Sequence, residues 1–151
     1  MIDNVDLQLL GALEEDGRQS FASLAEATGL TKTPCWSRVQ ALERGGIIKG
    51  FRADLDAAAL GLRVTAFVLI IIDAGKRNVF EEAVSDDCSI LECYTIAGEA
   101  DYLAKIVSRD VDALDGLLRY HLTLLPGVIR TQTIIALKTI KRHGSLTKAA
   151  R

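Results

Sequence analysis

At 151 residues, 49% of them apolar and 25% charged, the chain has length and core material for one ordinary domain or two small ones. A formal net charge of −2 gives no global sign of a nucleic-acid partner, although DNA binding needs only a local basic patch. Three cysteines without a C-x-x-C pair argue against a disulfide scaffold, two histidines leave little for a metal site, and neither a secretory leader nor a membrane span is visible, so a cytoplasmic protein is expected.

In chain order, residues 3–16 read as a helix capped by Asp3, with Leu9, Leu10 and Leu13 on one face, ended by Gly17. Ser20 opens a second helix whose Leu24 and Ala25 face inward and whose C-terminal end is Gly29. Thr31 is placed to cap a third helix, with Pro34 in the first turn where a missing N–H costs nothing, running to about Arg44 and stopping at Gly45-Gly46. Three short helices with Gly29-Leu30 between the second and third match a helix-turn-helix. Residues 47–55 alternate partly as a β-strand or wing, and residues 56–62 read as a short helical linker.

The second half alternates strand and helix. Residues 64–73 form a strongly apolar strand, and 77–85 a helix with Val79, Phe80, Ala83 and Val84 inward. Strands are expected over 89–97 and 102–107, joined by a tight connection at Gly98-Glu99-Ala100-Asp101. Asp110 caps a helix carrying Val111, Leu114, Leu117 and Leu118; Pro126-Gly127 breaks the chain, and 128–139 is the last strand. The order βαββαβ is the ferredoxin-like arrangement, so the fold class is α+β. From Lys141 the tail is polar and basic, with no packing signal.

At 100° per residue, the third helix turns Cys35, Val39 and Leu42 to one side and Thr33, Ser37, Gln40 and Arg44 to the other, with Trp36 and Arg38 on the flanks. Short polar groups and a guanidinium suit base edges and phosphates, and the helix N-terminus favours an anion. Between Thr31 and Arg52, five bases (Lys32, Arg38, Arg44, Lys49, Arg52) face one acid, Glu43. The candidate DNA-contact residues are Lys32, Thr33, Trp36, Ser37, Arg38, Gln40 and Arg44. The bland alternative is a solvated face of a three-helix core. Trp36 either packs on a neighbouring element or meets sugar and thymine methyl groups in the groove, and Cys35 reads as a small buried hydrophobe rather than a redox sensor.

Asp16-Gly17-Arg18, Leu24-Ala25, Gly29-Leu30-Thr31, Thr33-Pro34-Cys35, Arg38-Val39, Leu42-Glu43 and Gly50-Phe51 resemble the Lrp/AsnC family of feast/famine regulators. Leu60-Gly61, Gly98-Glu99-Ala100-Asp101-Tyr102 and Leu125-Pro126-Gly127-Val128 extend the resemblance to essentially residues 2–140. It implies a winged helix-turn-helix DNA-binding domain over 1–55, a linker over 56–62, a ligand-sensing and oligomerisation domain over 63–140, and a tail over 141–151. It further implies a nucleoid-associated transcription regulator that binds double-stranded DNA and dimerises through its sheets. Assembly to higher even-numbered oligomers, an octamer among them, and response to a small amino acid bound between dimers belong to the same expectation. Thr33-Pro34-Cys35-Trp36, Thr65–Ile70 and Gly98-Glu99 look similar to a cysteine-responsive branch, which makes cysteine one effector candidate.

The effector residues implied are Tyr94, Gly98, Glu99, Ala100, Asp101, Tyr102, His121, Leu122, Thr123 and Ile134. Gly98 would expose backbone N–H groups to an α-carboxylate, and Asp101 or a carbonyl would pair with the ammonium. Without the resemblance, Gly98–Asp101 reads as a plain hairpin turn. His121 departs from the polar types usual at its position, and either tunes ligand choice or caps a helix C-terminus. Cys88 and Cys93 pack around the second strand, with a thiol sensor as the other reading.

Two further functions fit the scaffold: an architectural DNA-binding protein with little ligand control, and an enzyme, since some proteins resembling the family decarboxylate haem precursors. The chain offers no evident nucleophile–base pair, so no catalytic residue, metal or organic cofactor is expected.

Overall fold

A computed structural model describes residues 2–150 and divides the chain into two compact units, residues 1–54 with 141–151, and residues 55–140. The first unit begins with α1 (Asn4–Glu15), which starts where Asp3 and Asp6 form a reciprocal cap: each carboxylate accepts the other residue's backbone N–H, at 2.8 and 3.1 Å. α2 (Phe21–Thr28) is capped by the Ser20 hydroxyl, which accepts the Ser23 N–H, and ends at Gly29, whose φ of +67° is the left-handed turn that glycine takes without strain. α3 (Lys32–Arg44) starts at Thr31 as expected, but the Thr31 side chain makes no cap hydrogen bond. Leu9, Leu24, Ala25, Cys35 and Val39 form the core of this unit, with Val5, Ala12, Leu13, Phe21, Leu30 and Ile48 packed around it.

Two expectations are corrected here. Residues 47–55 form no strand: the Ile47 and Ile48 N–H groups both donate to the Leu42 carbonyl, and residues 49–55 pair with no neighbouring strand. Strand pairing needs a ladder partner, and alternation alone does not supply one. The tail, read as unpacked, returns to the first helix as α6 (Leu146–Ala149), capped by Ser145, with Thr147 buried. Glu14 on α1 accepts the Ser145 hydroxyl (2.7 Å), the Leu146 and Thr147 N–H groups (2.7 and 3.2 Å) and the Thr147 hydroxyl (2.7 Å). These four donors pull the Glu14 carboxyl down to about 2, the Thr147 hydroxyl being the strongest contributor.

Residues 57–61 make a single turn, with Leu62 N–H reaching the Ala57 carbonyl, and lead into β1 (Val64–Ile72). After β1 come α4 (Arg77–Asp86), β2 (Ile90–Thr95), β3 (Tyr102–Ser108), α5 (Val111–Tyr120) and β4 (Val128–Ala136). The βαββαβ order folds into an antiparallel sheet, β2-β3-β1-β4. Period-2 alternation sends Ala66, Val68, Ile70 and Ile72 of β1, with Tyr102, Ala104 and Ile106 of β3, under the helices. Phe80 and Leu114 from the helices and Leu122 beyond α5 complete that core, and the Phe80 and Tyr102 rings meet at 4.7 Å. Val79, expected inward, is 51% exposed, because the inward stripe of α4 is centred on Phe80. Val111 is likewise exposed at the first turn of α5. Gly127 (φ +79°) lies where a Cβ would come within 2.4 Å of Lys76 Cβ, so the break before β4 requires glycine on both conformational and steric grounds.

The opposite face of the sheet has no covering layer within the unit. Strand register puts Phe67, Leu69 and Ile71 of β1 on it beside Ile134, Gln132 and Arg130 of β4, and Leu103 of β3 beside Tyr94 of β2.

Candidate functional site

In the first unit, burial of Cys35, Val39 and Leu42 fixes the rotation of α3. Lys32, Thr33, Trp36, Ser37 and Arg44 are exposed, with half of the Trp36 surface free. Of the two outcomes open for Trp36, the single chain leaves its indole available to a partner. Burial pushes the Cys35 thiol up, as befits a core residue. The remaining two expected contacts are engaged inside the unit. Arg38 Nη1 reaches Asp3 Oδ2 at 2.7 Å and Asp6 Oδ1 at 2.8 Å, and Gln40 donates to Glu43 at 2.7 Å. The Asp6 backbone N–H, then the Arg38 guanidinium, holds the Asp3 carboxyl below the usual carboxylate range. Arg38 therefore ties α3 to the start of α1. The partners lie 35 and 32 residues away, so the helical wheel, which sees only α3, missed this role.

The ten expected effector residues are not gathered into one pocket of the single chain. Glu99 and Ala100 border a depression on the uncovered sheet face, with Leu69, Ile71, Arg130 and Gln132. Its volume of about 20 Å³ has room for about one water, so it cannot enclose an amino acid without another wall. Tyr94 and Ile134 lie elsewhere on the same face, about half exposed. Tyr94 donates to Glu92, which also pairs with Lys105, and the Lys105 ammonium first, then Tyr94, holds the Glu92 carboxyl low.

The others are committed to the fold. Asp101 Oδ2 accepts the Ile72 N–H at 3.0 Å, while its backbone bonds Ile70 and Ile96. Tyr102 is 2% exposed, on the helix side, and donates to Glu81 at 2.6 Å. Leu122 is core. His121 does end α5, and its Nε2 lies 2.6 Å from Asp87 Oδ2. Burial raises the Asp87 carboxyl, but bonds from Ser89 and His121 outweigh it and leave it low. Thr123 donates to the Arg119 carbonyl. Gly98 is not in the left-handed region, and a Cβ there would meet nothing within 4 Å, so the single chain does not itself demand glycine at this position.

A larger concavity, about 440 Å³, lies between α4 and the β2 edge, bounded by Phe80, Glu81, Val84, Cys93, Thr95 and Tyr102. Tyr94 and Tyr102, two of the expected effector residues, both line it. Burial, then Glu81, pushes Tyr102 up to about 12, and burial pushes Cys93 up, so both line it as protonated groups at neutral pH.

A helix-turn-helix with an exposed polar face, joined to a βαββαβ unit with an uncovered sheet face, defines a one-chain transcription regulator with a sensing domain. Residues 2–43 match the AsnC-type helix-turn-helix domain, and residues 65–146 the Lrp/AsnC ligand binding domain. The chain belongs to the Lrp/AsnC family. It is 36% identical over 146 residues to the proline dehydrogenase transcriptional activator of Rhizobium radiobacter, covering 95% of this chain and 94% of that protein. It is 37% identical over 148 residues to the leucine-responsive regulatory protein of Escherichia coli (strain K12), covering 96% and 90%. Among solved structures, it superposes on a transcriptional regulator of Neisseria meningitidis in complex with L-methionine with a TM-score of 0.92 at 30% identity, covering 97% and 96% of the two chains. Escherichia coli AsnC gives 0.89 at 28% identity, covering 95% and 97%.

Proposed function

We propose that this protein is a sequence-specific DNA-binding transcription regulator whose DNA affinity or assembly shifts when a small amino acid binds. The observation that carries the reading is the exposed set Lys32, Thr33, Trp36, Ser37 and Arg44 on a helix clamped to α1 through Arg38. Rigid presentation of polar groups and a guanidinium lets base edges be read without first ordering the reader. In the second unit, the depression between Glu99 and Arg130 is one wall of the effector site, and a second copy of the chain supplies the other. An acid and a base on that wall suit a zwitterion: Arg130 the carboxylate, Glu99 the ammonium. Dimers form by burying the uncovered sheet face, and further assembly places heads at a spacing set by the ligand, which couples the two sites by linkage. The Neisseria neighbour holds L-methionine, so methionine stands with leucine and cysteine as the first effectors to try. Among the described residues no helix is long and apolar enough to cross a membrane, consistent with work at the nucleoid.

The test is binding to fragments of the source genome, with each amino acid added in turn. Selective retention of a few fragments and a shift with at least one amino acid are expected; retention of all fragments alike, with no shift, would favour an architectural protein. Arg44→Ala is expected to weaken specific binding about 5- to 100-fold, the range of a lost base or phosphate contact. Unchanged affinity at fixed salt would remove Arg44 from the interface.

A further inference from the structure

Residues 1–54 carry six Lys and Arg against eight Asp and Glu, so the helix-turn-helix segment by itself is net −2. Residues 141–151 carry four bases and no acid. Because the tail packs into the first unit, the unit as folded is net +2, while residues 55–140, with eight bases and twelve acids, are −4. We propose that the tail is a second DNA-contact element, clasped to α1 by Glu14, which adds phosphate-binding charge to the basic stretch of residues 31–52. The proposal rests on the DNA-binding reading above and extends it beyond α3.

The clasp is built so that the tail's charge stays free. Glu14 is satisfied by two hydroxyls and two backbone N–H groups, none of them cationic. Among the described residues Lys141 and Arg142 have no carboxylate within 4.0 Å, and Lys148 reaches Glu15 only at 4.0 Å, with both side chains about three-quarters exposed. Exposed pairs of that kind contribute little and yield readily to a phosphate. The neighbours of the tail strengthen the case. His143 lies 3.4 Å from Asp54, and Phe51 packs its ring over Gly17 at the end of α1. The segment that leaves α3 through Lys49 and Arg52 and the tail with Lys141 and Arg142 therefore converge at one end of the head. Lys141 and Arg142, without a carboxylate partner among the described residues at this end of the head, are matched by the sugar–phosphate backbone flanking the groove. Contacts there fix position and affinity and carry no sequence information.

The experiment measures the salt dependence of binding to a labelled random-sequence duplex of about 40 base pairs, by fluorescence anisotropy, with the full chain. Each neutralised phosphate adds about 0.9 to the slope of log affinity against log salt. Lys141→Ala/Arg142→Ala/Lys148→Ala leaves every clasp donor in place and is expected to flatten the slope by about 2 to 3, with a loss of tenfold or more at low salt. The charge-keeping Lys141→Arg/Lys148→Arg is expected to retain the wild-type slope. Ser145→Ala/Thr147→Val opens the clasp at constant charge and is expected to weaken binding by less than the triple variant. Wild-type slope and affinity in the triple variant would overturn the tail as a DNA contact, and unchanged affinity in the clasp variant would overturn the role of Glu14. A wild-type chain that bound no duplex at all would instead refute the DNA-binding reading, a result distinct from either.

Discussion

The two units present their working residues in opposite ways. The head has a small core, and most of its candidate contacts stand free on one face of a single helix. The second unit has the larger core, and most of its candidate contacts are already spent: Tyr102 and Leu122 in packing, Asp101 on the Ile72 N–H, His121 on Asp87. A reader of DNA works as one rigid surface on one chain. The proposed effector site is divided between copies, and each chain's share of it is the shallow depression of about 20 Å³ at Glu99 and Arg130. Incompleteness in the second unit suits its proposed role, whereas the same incompleteness in α3 would be a defect.

The largest expected effects lie in the two cores. Phe80→Ala removes a fully buried ring packed at a tilt against that of Tyr102 and is expected to cost about 3–5 kcal/mol. Trp36, the single tryptophan, lies in the head, so its fluorescence follows that unit while far-UV circular dichroism follows both. In a denaturant titration the second unit's transition should move to lower denaturant with the Trp36 transition held. Coincident shifts would show that the units unfold as one. Next in size is Asp101→Ala, which strands the Ile72 N–H and is expected to cost about 1–3 kcal/mol in the second unit. It should blunt the amino-acid response while basal DNA binding survives; a full response at the wild-type ligand concentration would detach Asp101 from sensing. The smallest effect belongs to the clasp. The Glu14 carboxyl, near 4.5 when free and about 2 when folded, contributes stability that is whole above the free value and fades as pH falls from about 4.5 towards 2. The Leu146 and Thr147 amide resonances should shift across that window and stay constant above it. A flat titration would mean that Glu14 does not hold the tail.

What sequence showed, and what it hid, follows from distance along the chain. Asp3, Ser20 and Asp110 marked helix starts because a cap acts within three residues, and β1 was plain because alternation is local. The strand expected over 47–55 failed because pairing needs a neighbour that those residues lack. α6 was invisible because four residues carry no periodic signal, and its partner Glu14 lies 131 to 133 residues away. The candidate site divided on the same line. The α3 face followed from a wheel, whereas Arg38's bond to Asp3 and Asp6 did not. The family resemblance named Asp101 and Tyr102 together, yet the Asp101 carboxylate accepts the Ile72 N–H and the Tyr102 hydroxyl donates to Glu81 under the helices, so neither lines the depression at Glu99.

The clasp also has a consequence for synthesis. Glu14 leaves the ribosome long before residues 145–147 do, with the whole second unit emerging between them. The three helices of the head can gather early, but the unit reaches its final form and its positive charge only after the sheet has been made. With the tail as the proposed DNA contact, a nascent chain would hold DNA more weakly until its second half exists.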